Sequence, residues 1–360
     1  MEYTKNTRPC LKLKLAKSIG NTVRVLLALL TVNAISLAVP ALTEELTQIN
    51  YEAEIIAVVG APGEEKFIQP FSDALNQLEI AAKNSPAIFH EIGNKKGNAP
   101  PPKKELLQKL SKLNVSSEIP VWLIFIGHGT FDGIDAKFNL HGPDLESKEL
   151  VSALEGFKRD LIIVLGFSSS APFLPALSGP GRTIVTSTRS GYESNYSRFV
   201  SYFCRALNDT KADFDKDNQV SLLESFLYAS KSTSNFYDEN NRLVSEHALI
   251  DDTGDKKGTP ADWFTGLLPQ KSPKNAIDID GFKAHQIILV PDEFERSLPF
   301  TIRKKRNQLE SDLKDLRNKK SSLSKKEYQA QLEVILTGLA SLYFPDTGSN
   351  KQPISESGER

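Results

Sequence analysis

The fold is decided by the stretch Val121-Trp-Leu-Ile-Phe-Ile126, an unbroken apolar run that ends at Gly127-His128-Gly129. Short apolar runs without polar alternation are typical of strands that are covered on both faces, as in a parallel sheet. Comparable runs lie at 54–60, 86–92, 161–165 and 183–186, and helical patterns separate them at 64–83, 103–113, 146–157 and 172–177. We therefore predict an α/β fold, a three-layer sandwich with a mostly parallel sheet.

The composition is that of a globular chain that buries a core. Of the 360 residues, 39% are hydrophobic and 25% are charged, which excludes a disordered chain and a disulfide-stapled mini-protein. The formal net charge is -1, so nothing favours a nucleic acid as a partner.

Residues 1–41 have the pattern of a secretory signal peptide. They carry six Lys or Arg against one acid, followed by an apolar run at 25–38 and small residues before position 42. The run is shorter than the roughly 20 residues of a membrane span, so we expect cleavage and export to a periplasmic or secreted location. If the segment stays uncleaved, it anchors the chain in a membrane. Cleavage removes Cys10 and leaves Cys204 without a disulfide partner.

The chain beyond the signal divides into a main domain and an extension. We place the α/β domain at 50–268 and a C-terminal extension at 269–344. Helical patterns at 302–323 and 324–342, the second opened by the capping box Ser324-Lys-Lys-Glu327, predict a helical hairpin. It either packs back on the domain or binds a protein partner as a coiled coil. The polar tail at 345–360 is predicted to be disordered.

Polar side chains with catalytic potential follow two of the predicted strands. His128 stands between two glycines at the end of one strand, and Ser168-Ser169-Ser170 follow the next. Because the carboxyl ends of parallel strands meet at one edge of a sheet, we expect a nucleophile and a base there. The alternative is a serine-rich helix N-cap with no chemistry.

The order of apolar strand, His-Gly, next apolar strand and small-residue turn resembles the caspase and legumain type of cysteine peptidase over residues 52–250. The resemblance implies a caspase-hemoglobinase sandwich and a peptide or protein ligand. His128 matches the family histidine, and Ser168 stands where the family has its cysteine. It also implies a substrate pocket near 186–193, where Arg189 and Glu193 are candidates to select a charged side chain.

Serine in place of cysteine predicts a noncatalytic pseudopeptidase that acts in binding or scaffolding. A thiol next to histidine ionises readily, whereas a serine hydroxyl must lose its proton to a base during attack. The alternatives are an active hydrolase that uses His128 with Ser168 or a neighbouring serine, and a calcium-dependent surface module that shares only the architecture. Cys204 lies on the predicted helix 196–207 and is expected to be a structural thiol.

The most specific motif is an EF-hand-like calcium loop at 213–224. Its loop positions 1, 3, 5, 7, 9 and 12 are Asp213, Asp215, Asp217, Gln219, Ser221 and Glu224. These residue types at these positions form the oxygen cage of a calcium ion. Helical patterns at 196–207 and 222–231 flank the loop, and no second complete loop is present. We expect one structural calcium ion, and the alternative is a solvated acidic turn.

Overall fold

The strands of the computed structural model, which describes residues 52–94, 100–276 and 278–343, form one large sheet and two small ones. In chain order they are β1 (Ala53–Val59), β2 (Ala87–Ile92), β3 (Val121–Ile126), β4 (Gly129–Phe131), β5 (Ala136–Phe138), β6 (Leu145–Glu146), β7 (Leu161–Gly166), β8 (Arg182–Thr186), β9 (Leu249–Asp251), β10 (Thr259–Pro260), β11 (Phe264–Thr265) and β12 (Leu268–Pro269). The predicted signal peptide at 1–41 and the predicted tail at 345–360 lie outside the described residues.

Ten α-helices are present among the described residues. They are α1 (Ile68–Lys83), α2 (Pro102–Ser111), α3 (Ser147–Ala153), α4 (Phe173–Leu177), α5 (Phe199–Ala206), α6 (Leu222–Glu239), α7 (Phe282–Gln286), α8 (Glu293–Ser297), α9 (Phe300–Asn318) and α10 (Lys325–Tyr343). The helix predicted at 222–231 continues for two further turns, since its apolar face extends to the buried Tyr237. No helix in the described part of the chain is long and apolar enough to cross a membrane.

The large sheet has the strand order β10-β9-β8-β7-β3-β1-β2. In this order, the five strands β8, β7, β3, β1 and β2 are parallel to their neighbours. Strands β9 and β10 add to one edge in antiparallel pairings. The predicted mostly parallel sheet is confirmed. The central strands β3 and β7 are buried throughout, which explains why their sequences lack polar alternation.

The two faces of the sheet are covered by different helices, which gives the predicted three layers. Alternate residues of β1 belong to two separate clusters: Ile55 and Ala57 lie with α1, α5 and α6, and Ile56 and Val58 lie with α2, α3 and α4. Side chains of a strand point alternately to its two faces. One strand therefore supplies both halves of the core.

Two long helices at the carboxyl end form the predicted helical hairpin. The helices α9 and α10 pack against each other, and Gly338 lies so close to Leu309 that an added Cβ would be 3.3 Å from the leucine side chain. Leu316 is the only buried residue of α9, and Ile335 is the only buried residue of α10. The hairpin therefore contributes little to the main core.

Candidate functional site

His128 lies directly after β3, at the carboxyl edge of the sheet. Its ring sits among three aromatic rings, with centroid distances of 4.6 Å to Phe67, 5.2 Å to Phe71 and 5.7 Å to Tyr196. Burial lowers the pKa of His128, and a hydrogen bond to the backbone carbonyl of Pro62 partly offsets this effect. The imidazole is therefore favoured in its neutral form.

Ser168 faces the same edge, because the register pairs Ile126 of β3 with Gly166 of β7. Its hydroxyl donates to the Gly129 carbonyl at 3.0 Å and accepts from the Gly129 amide at 3.1 Å. Only 1% of Ser168 is exposed. The hydroxyl thus joins the two strand ends instead of facing solvent.

The two strand ends can approach so closely because Gly129 has no side chain. A Cβ at this position would lie 2.4 Å from the Ser168 carbonyl oxygen and 2.5 Å from the Phe167 ring. At Gly129 the protein itself therefore fills the space that the missing side chain leaves beside His128.

We call residues 166–170 the serine turn. Its other two serines differ in their hydrogen bonding. The Ser170 hydroxyl contacts those of Ser187 at 3.3 Å and Thr188 at 3.1 Å. Ser169 has a left-handed backbone with φ 58°, and its buried hydroxyl has no hydrogen-bond partner among the described residues. An L-residue in this conformation is uncommon outside turns and functional sites.

The structure brings His128 and the serine turn to neighbouring strand ends but does not join them. Within the part of the chain that the structure describes, no hydrogen bond links the imidazole to Ser168, Ser169 or Ser170. A nucleophile and its base need hydrogen-bond contact, which can tighten when substrate binds. The geometry of this edge is that of a packed strand end.

Arg189 and Glu193, predicted to select a charged substrate side chain, form an ion pair with each other at 3.4 Å. The Glu193 carboxylate also accepts from the His247 amide at 3.1 Å and lies 2.6 Å from the His247 ring nitrogen Nδ1. Glu193 is therefore engaged within the protein. Arg189 is 60% exposed and is the member of the pair that a ligand can reach.

Cys204 lies inside the core on α5 and is fully buried. Burial raises the pKa of its thiol to about 12. A thiol that ionises only at such a pH supplies no thiolate for catalysis. This environment agrees with the structural role predicted for Cys204.

The acidic loop, residues 213–224, gathers the carboxylates of Asp213, Asp215 and Glu224. Each offers an oxygen atom, and these atoms lie within 4.8 Å of one another. Asp213 and Glu224 are buried, whereas Asp215 is exposed. Burial, together with the nearby charges of Asp215 and Asp213, raises the pKa of Asp217. Crowded carboxylates of this kind are the hard oxygen ligands that calcium prefers.

The backbone of the acidic loop has the turns that a calcium loop requires. Lys216 and Asn218 have left-handed φ values of 64° and 70°, which curve the chain around the carboxylates. Asp213 accepts hydrogen bonds from the amides of both residues, at 2.6 Å and 3.2 Å. Asparagine tolerates the left-handed region better than most residues, so Asn218 serves in place of the usual glycine.

The remaining predicted ligands lie at the exit of the acidic loop. The Ser221 hydroxyl donates to Glu224 Oε2 at 2.8 Å and caps the start of α6. The Gln219 side-chain oxygen accepts instead from the Asp292 amide at 3.3 Å. Position 7 of such a loop binds calcium through its backbone carbonyl, so this contact leaves the expected ligand atom of Gln219 free.

A segment that sequence reasoning missed supports the acidic loop. Ser221 forms an antiparallel bridge with Ile288, and the Leu222 amide donates to the Ile287 carbonyl at 2.8 Å. His285, on α7 just before this segment, places Nε2 3.5 Å from Asp215 Oδ2. The Ile287-Ile288-Leu289-Val290 run is an apolar, β-branched signal. Its pairing partner could not be predicted because it depends on tertiary structure.

Two exposed apolar side chains near the strand ends were also missed. Tyr192 is 79% exposed and makes an edge-to-face contact with Phe131, with ring centroids 5.3 Å apart, and Ile134 is 87% exposed. Gly191 permits this close approach, because a Cβ there would lie 2.4 Å from the Phe131 ring. Large exposed aromatic side chains are a feature of many binding surfaces.

Comparisons with known proteins leave the family of this chain open. No protein-family model and no curated protein sequence matches it. The initiator caspase Dronc of Drosophila aligns over 58% of this chain and 82% of its own, at 15% identity and a TM-score of 0.38. A protein from Geobacter sulfurreducens aligns over 55% and 92%, at 10% identity and a TM-score of 0.35. At such identities and TM-scores, neither similarity says anything about activity.

Proposed function

We propose that this chain is an exported protein of the caspase and legumain type that binds a peptide or protein without cleaving it, and that one calcium ion stabilises it. The observation that supports this most directly is the Ser168 hydroxyl. It both donates to and accepts from Gly129, and it is 1% exposed.

The hydrogen bonds of Ser168 oppose a catalytic role for physical reasons. A serine nucleophile must pass its proton to a base as it attacks, yet here the proton is donated to a backbone carbonyl. To reach His128, the hydroxyl would have to give up both bonds to Gly129 and leave buried backbone groups unpaired, which costs about 1–3 kcal/mol. This favours a structural serine.

Ligand binding is supported by the exposed surface beside the strand ends. Tyr192 contacts Phe131 edge to face while it remains mostly exposed, Ile134 is exposed as well, and Arg189 is 60% exposed. Aromatic and arginine side chains are the residue types that contribute most to protein interfaces. We infer that the ligand is a peptide that offers an apolar side chain and a nearby carboxylate.

The calcium ion has a structural role in this proposal. When bound, it neutralises the carboxylates of Asp213, Asp215 and Glu224, with Asp217, Gln219 and Ser221 completing the oxygen ligands. The loop connects α5 to α6, which pack against each other, so its closure fixes the position of both helices. Extracellular calcium is abundant enough to keep even a weak site of this kind occupied.

The C-terminal hairpin is a second surface for a protein partner. On α10, Val334 is 72% exposed and Leu336 is 47% exposed. We propose that these side chains pack against a helix of the partner. The hairpin also contacts the domain, through the Arg303–Glu52 ion pair and the hydrogen bond from Gln286 to Glu310, so both alternatives drawn from the sequence contribute to this proposal.

A serine hydrolase is the second candidate, and Ser169 is the residue that favours it. Its strained backbone and its buried hydroxyl without a partner are features found at catalytic nucleophiles. In this alternative, substrate binding opens the turn and brings the Ser169 hydroxyl to His128.

The deciding experiment treats the folded, calcium-loaded full chain with a fluorophosphonate probe and with a library of peptide and ester substrates. We expect no labelling and no cleavage. A label on a serine of the serine turn that disappears in His128→Ala would overturn the proposal. Ser169→Ala would then identify the nucleophile, with Ser178→Ala as a control for labelling of an unrelated serine.

Binding is tested separately by screening the same chain against a peptide library. We expect Tyr192→Ala to weaken the peptides that bind by about tenfold or more, as for the central aromatic of an interface. Val334→Ala, which removes an exposed apolar side chain from the hairpin, should leave peptide binding unchanged. Equal losses in both variants would contradict a peptide site at Tyr192.

A further inference from the structure

The turn of the C-terminal hairpin carries a dense positive charge. Residues 317–326, which we call the basic tip, run from the last turn of α9 into the first turn of α10. All of its cations are exposed, and it contains no acid, in a chain whose formal net charge is only -1. The cations are Arg317, Lys319, Lys320, Lys325 and Lys326. Even with the bordering acids Asp315 and Glu327 included, the excess of cations is three.

The basic tip differs from the part of the hairpin that lies nearer the domain. There, four cations of α9 pair with carboxylates. The pairs are Arg303–Glu52, Lys304–Glu118, Arg306–Glu295 and Lys314–Asp278. Within the part of the chain that the structure describes, no cation of the basic tip forms an ion pair, and Glu327 instead accepts from the Ser324 amide at 3.0 Å. The charge of the tip is therefore available to an external anion.

Helix stability accounts for only part of this charge. Arg317 and Lys319 lie at the carboxyl end of α9, where cations oppose the partial negative charge of the helix end. Lys325 and Lys326 lie in the first turn of α10, where the same effect disfavours cations. The capping box of Ser324 and Glu327 already stabilises this helix start. Local structure therefore gives no reason for these two lysines.

The basic tip suits an extended anionic surface better than a single small anion. It is a turn between two helices, and none of its residues lines the cavity of about 670 Å³ that lies beside α9. Four of its five cations are lysines, which act as rotatable point charges, whereas the rigid fork of arginine holds one phosphate or carboxylate. Clusters of about four to eight such cations are typical of sites for anionic lipid headgroups.

A nucleic acid suits the basic tip less well. Proteins that bind single strands combine cations with aromatic rings on which the bases stack. The one aromatic residue next to the tip is Tyr328, and the Lys320 ammonium lies over its ring, 5.5 Å from the centroid. The tip therefore offers charge without a free stacking surface.

We propose that the basic tip binds the anionic phospholipid surface of a membrane. Its cations lie among the headgroups, and they need no fixed geometry because the charge of such a surface is spread over many lipids. Each cation close to the surface strengthens binding about fivefold, and salt weakens the attraction. This inference depends neither on the peptide surface at Tyr192 nor on the calcium ion.

A fluorophore on the basic tip tests this contact directly. In the full chain, Ser322→Cys provides the attachment site, and Cys10→Ser leaves the buried Cys204 as the only other thiol. We expect a saturable change in emission with vesicles of phosphatidylcholine that contain phosphatidylglycerol, no such change with phosphatidylcholine alone, and a loss of the change at high salt. A fluorophore at Asn235→Cys, an exposed position of α6, should not respond. The predicted signal peptide can bind vesicles as well, and the two label positions separate that contact from the tip.

Two double variants with the same change of charge test the placement of the cations in the labelled chain. Lys325→Gln with Lys326→Gln should weaken binding about 25-fold. It should leave the thermal unfolding midpoint unchanged or slightly raised, because cations are disfavoured at a helix start. Lys104→Gln with Lys112→Gln removes two exposed cations at α2 and should change the affinity less than twofold.

Several results would overturn the proposal. No saturable change in emission, or the same change without anionic lipid, would mean that the basic tip stays in solvent. Equal losses in the two double variants would mean that only the total charge of the chain matters. A stronger response to soluble polyphosphate than to vesicles of equal charge would assign the tip to a soluble polyanion. None of these results affects the proposed peptide surface, whose test depends on Tyr192.

Discussion

The acidic loop and the serine turn hold their polar side chains in opposite ways. In the acidic loop, three carboxylates converge until their oxygens lie within 4.8 Å of one another, and backbone amides alone do not neutralise their charges. In the serine turn, Ser168 and Ser170 diverge into separate hydrogen bonds with the protein itself. The calcium ion that we propose would offset these converging charges, whereas mutual satisfaction is typical of a structural turn.

The largest expected loss of stability comes from a substitution that disturbs the packing of the serine turn. Gly129→Ala places a Cβ within 3.0 Å of the carbonyl oxygens of Ser168 and Lys137 and of the Phe167 ring. Overpacking of this kind costs about 1–3 kcal/mol, and we expect the upper end because two of the neighbours are backbone atoms. Denaturant unfolding measures the loss.

The control for that experiment is Gly179→Ala. Nothing lies within 4 Å of a Cβ added at Gly179, and its φ is not in the left-handed region. We expect a change below about 0.5 kcal/mol there. A Gly129→Ala protein as stable as this control would show that the turn opens easily, which would favour the hydrolase.

The acidic loop should respond to calcium with a slightly smaller change in stability. For a dissociation constant of 0.1–1 mM, as in extracellular sites, 10 mM calcium stabilises the folded chain by about 1.4–2.7 kcal/mol. The thermal unfolding midpoint, measured with calcium and with a chelator, should therefore rise by several degrees.

Two variants with the same change of charge sharpen the calcium result. Asp215→Asn removes a ligand of the proposed site and should abolish most of the rise in midpoint. Asp238→Asn removes an exposed carboxylate near the far end of α6 and should leave the rise intact. An equal response in both would indicate general screening of negative charge, and the acidic loop would be only a solvated turn.

Substitutions of Ser168 and Ser169 should change the free energy of unfolding by smaller amounts. Ser168→Ala removes the hydroxyl that satisfies the Gly129 amide and carbonyl and should cost about 1–2 kcal/mol. Ser169→Ala removes a buried hydroxyl without a partner, so we expect no loss or a small gain. If both variants unfold alike, the hydrogen bonds of Ser168 are not what joins the strand ends.

The sequence predicted the architecture well because its signals are local. The apolar runs at 121–126 and 161–165 coincide with β3 and β7. Of the four carboxylates that loop spacing predicted as ligands, three converge, and Asp217 is not in that group. These predictions needed only strand periodicity and the ligand positions of a known loop.

What the sequence could not predict depends on contacts between distant segments. Two examples are the bridge from Ser221 to Ile288 and the edge-to-face contact between Tyr192 and Phe131, which each join residues far apart in the chain. The close packing of Gly129 likewise depends on Phe167 and Ser168, which follow a different strand, β7. Such features follow from packing, for which a single sequence carries no direct signal.

The smallest effect is a pH dependence at the edge that His128 and the serine turn share. Burial among Phe67, Phe71 and Tyr196 lowers the pKa of His128, so the unfolded chain takes up this proton more readily than the folded one. The contribution of His128 is therefore present above its unfolded pKa of about 6.5 and is lost as pH falls below it. Unfolding at pH 7 and pH 5 should show a loss that shrinks in His128→Gln and persists in His141→Gln, an exposed histidine. An unchanged loss in His128→Gln would mean that the aromatic rings leave the imidazole free to take up a proton, as a catalytic base must.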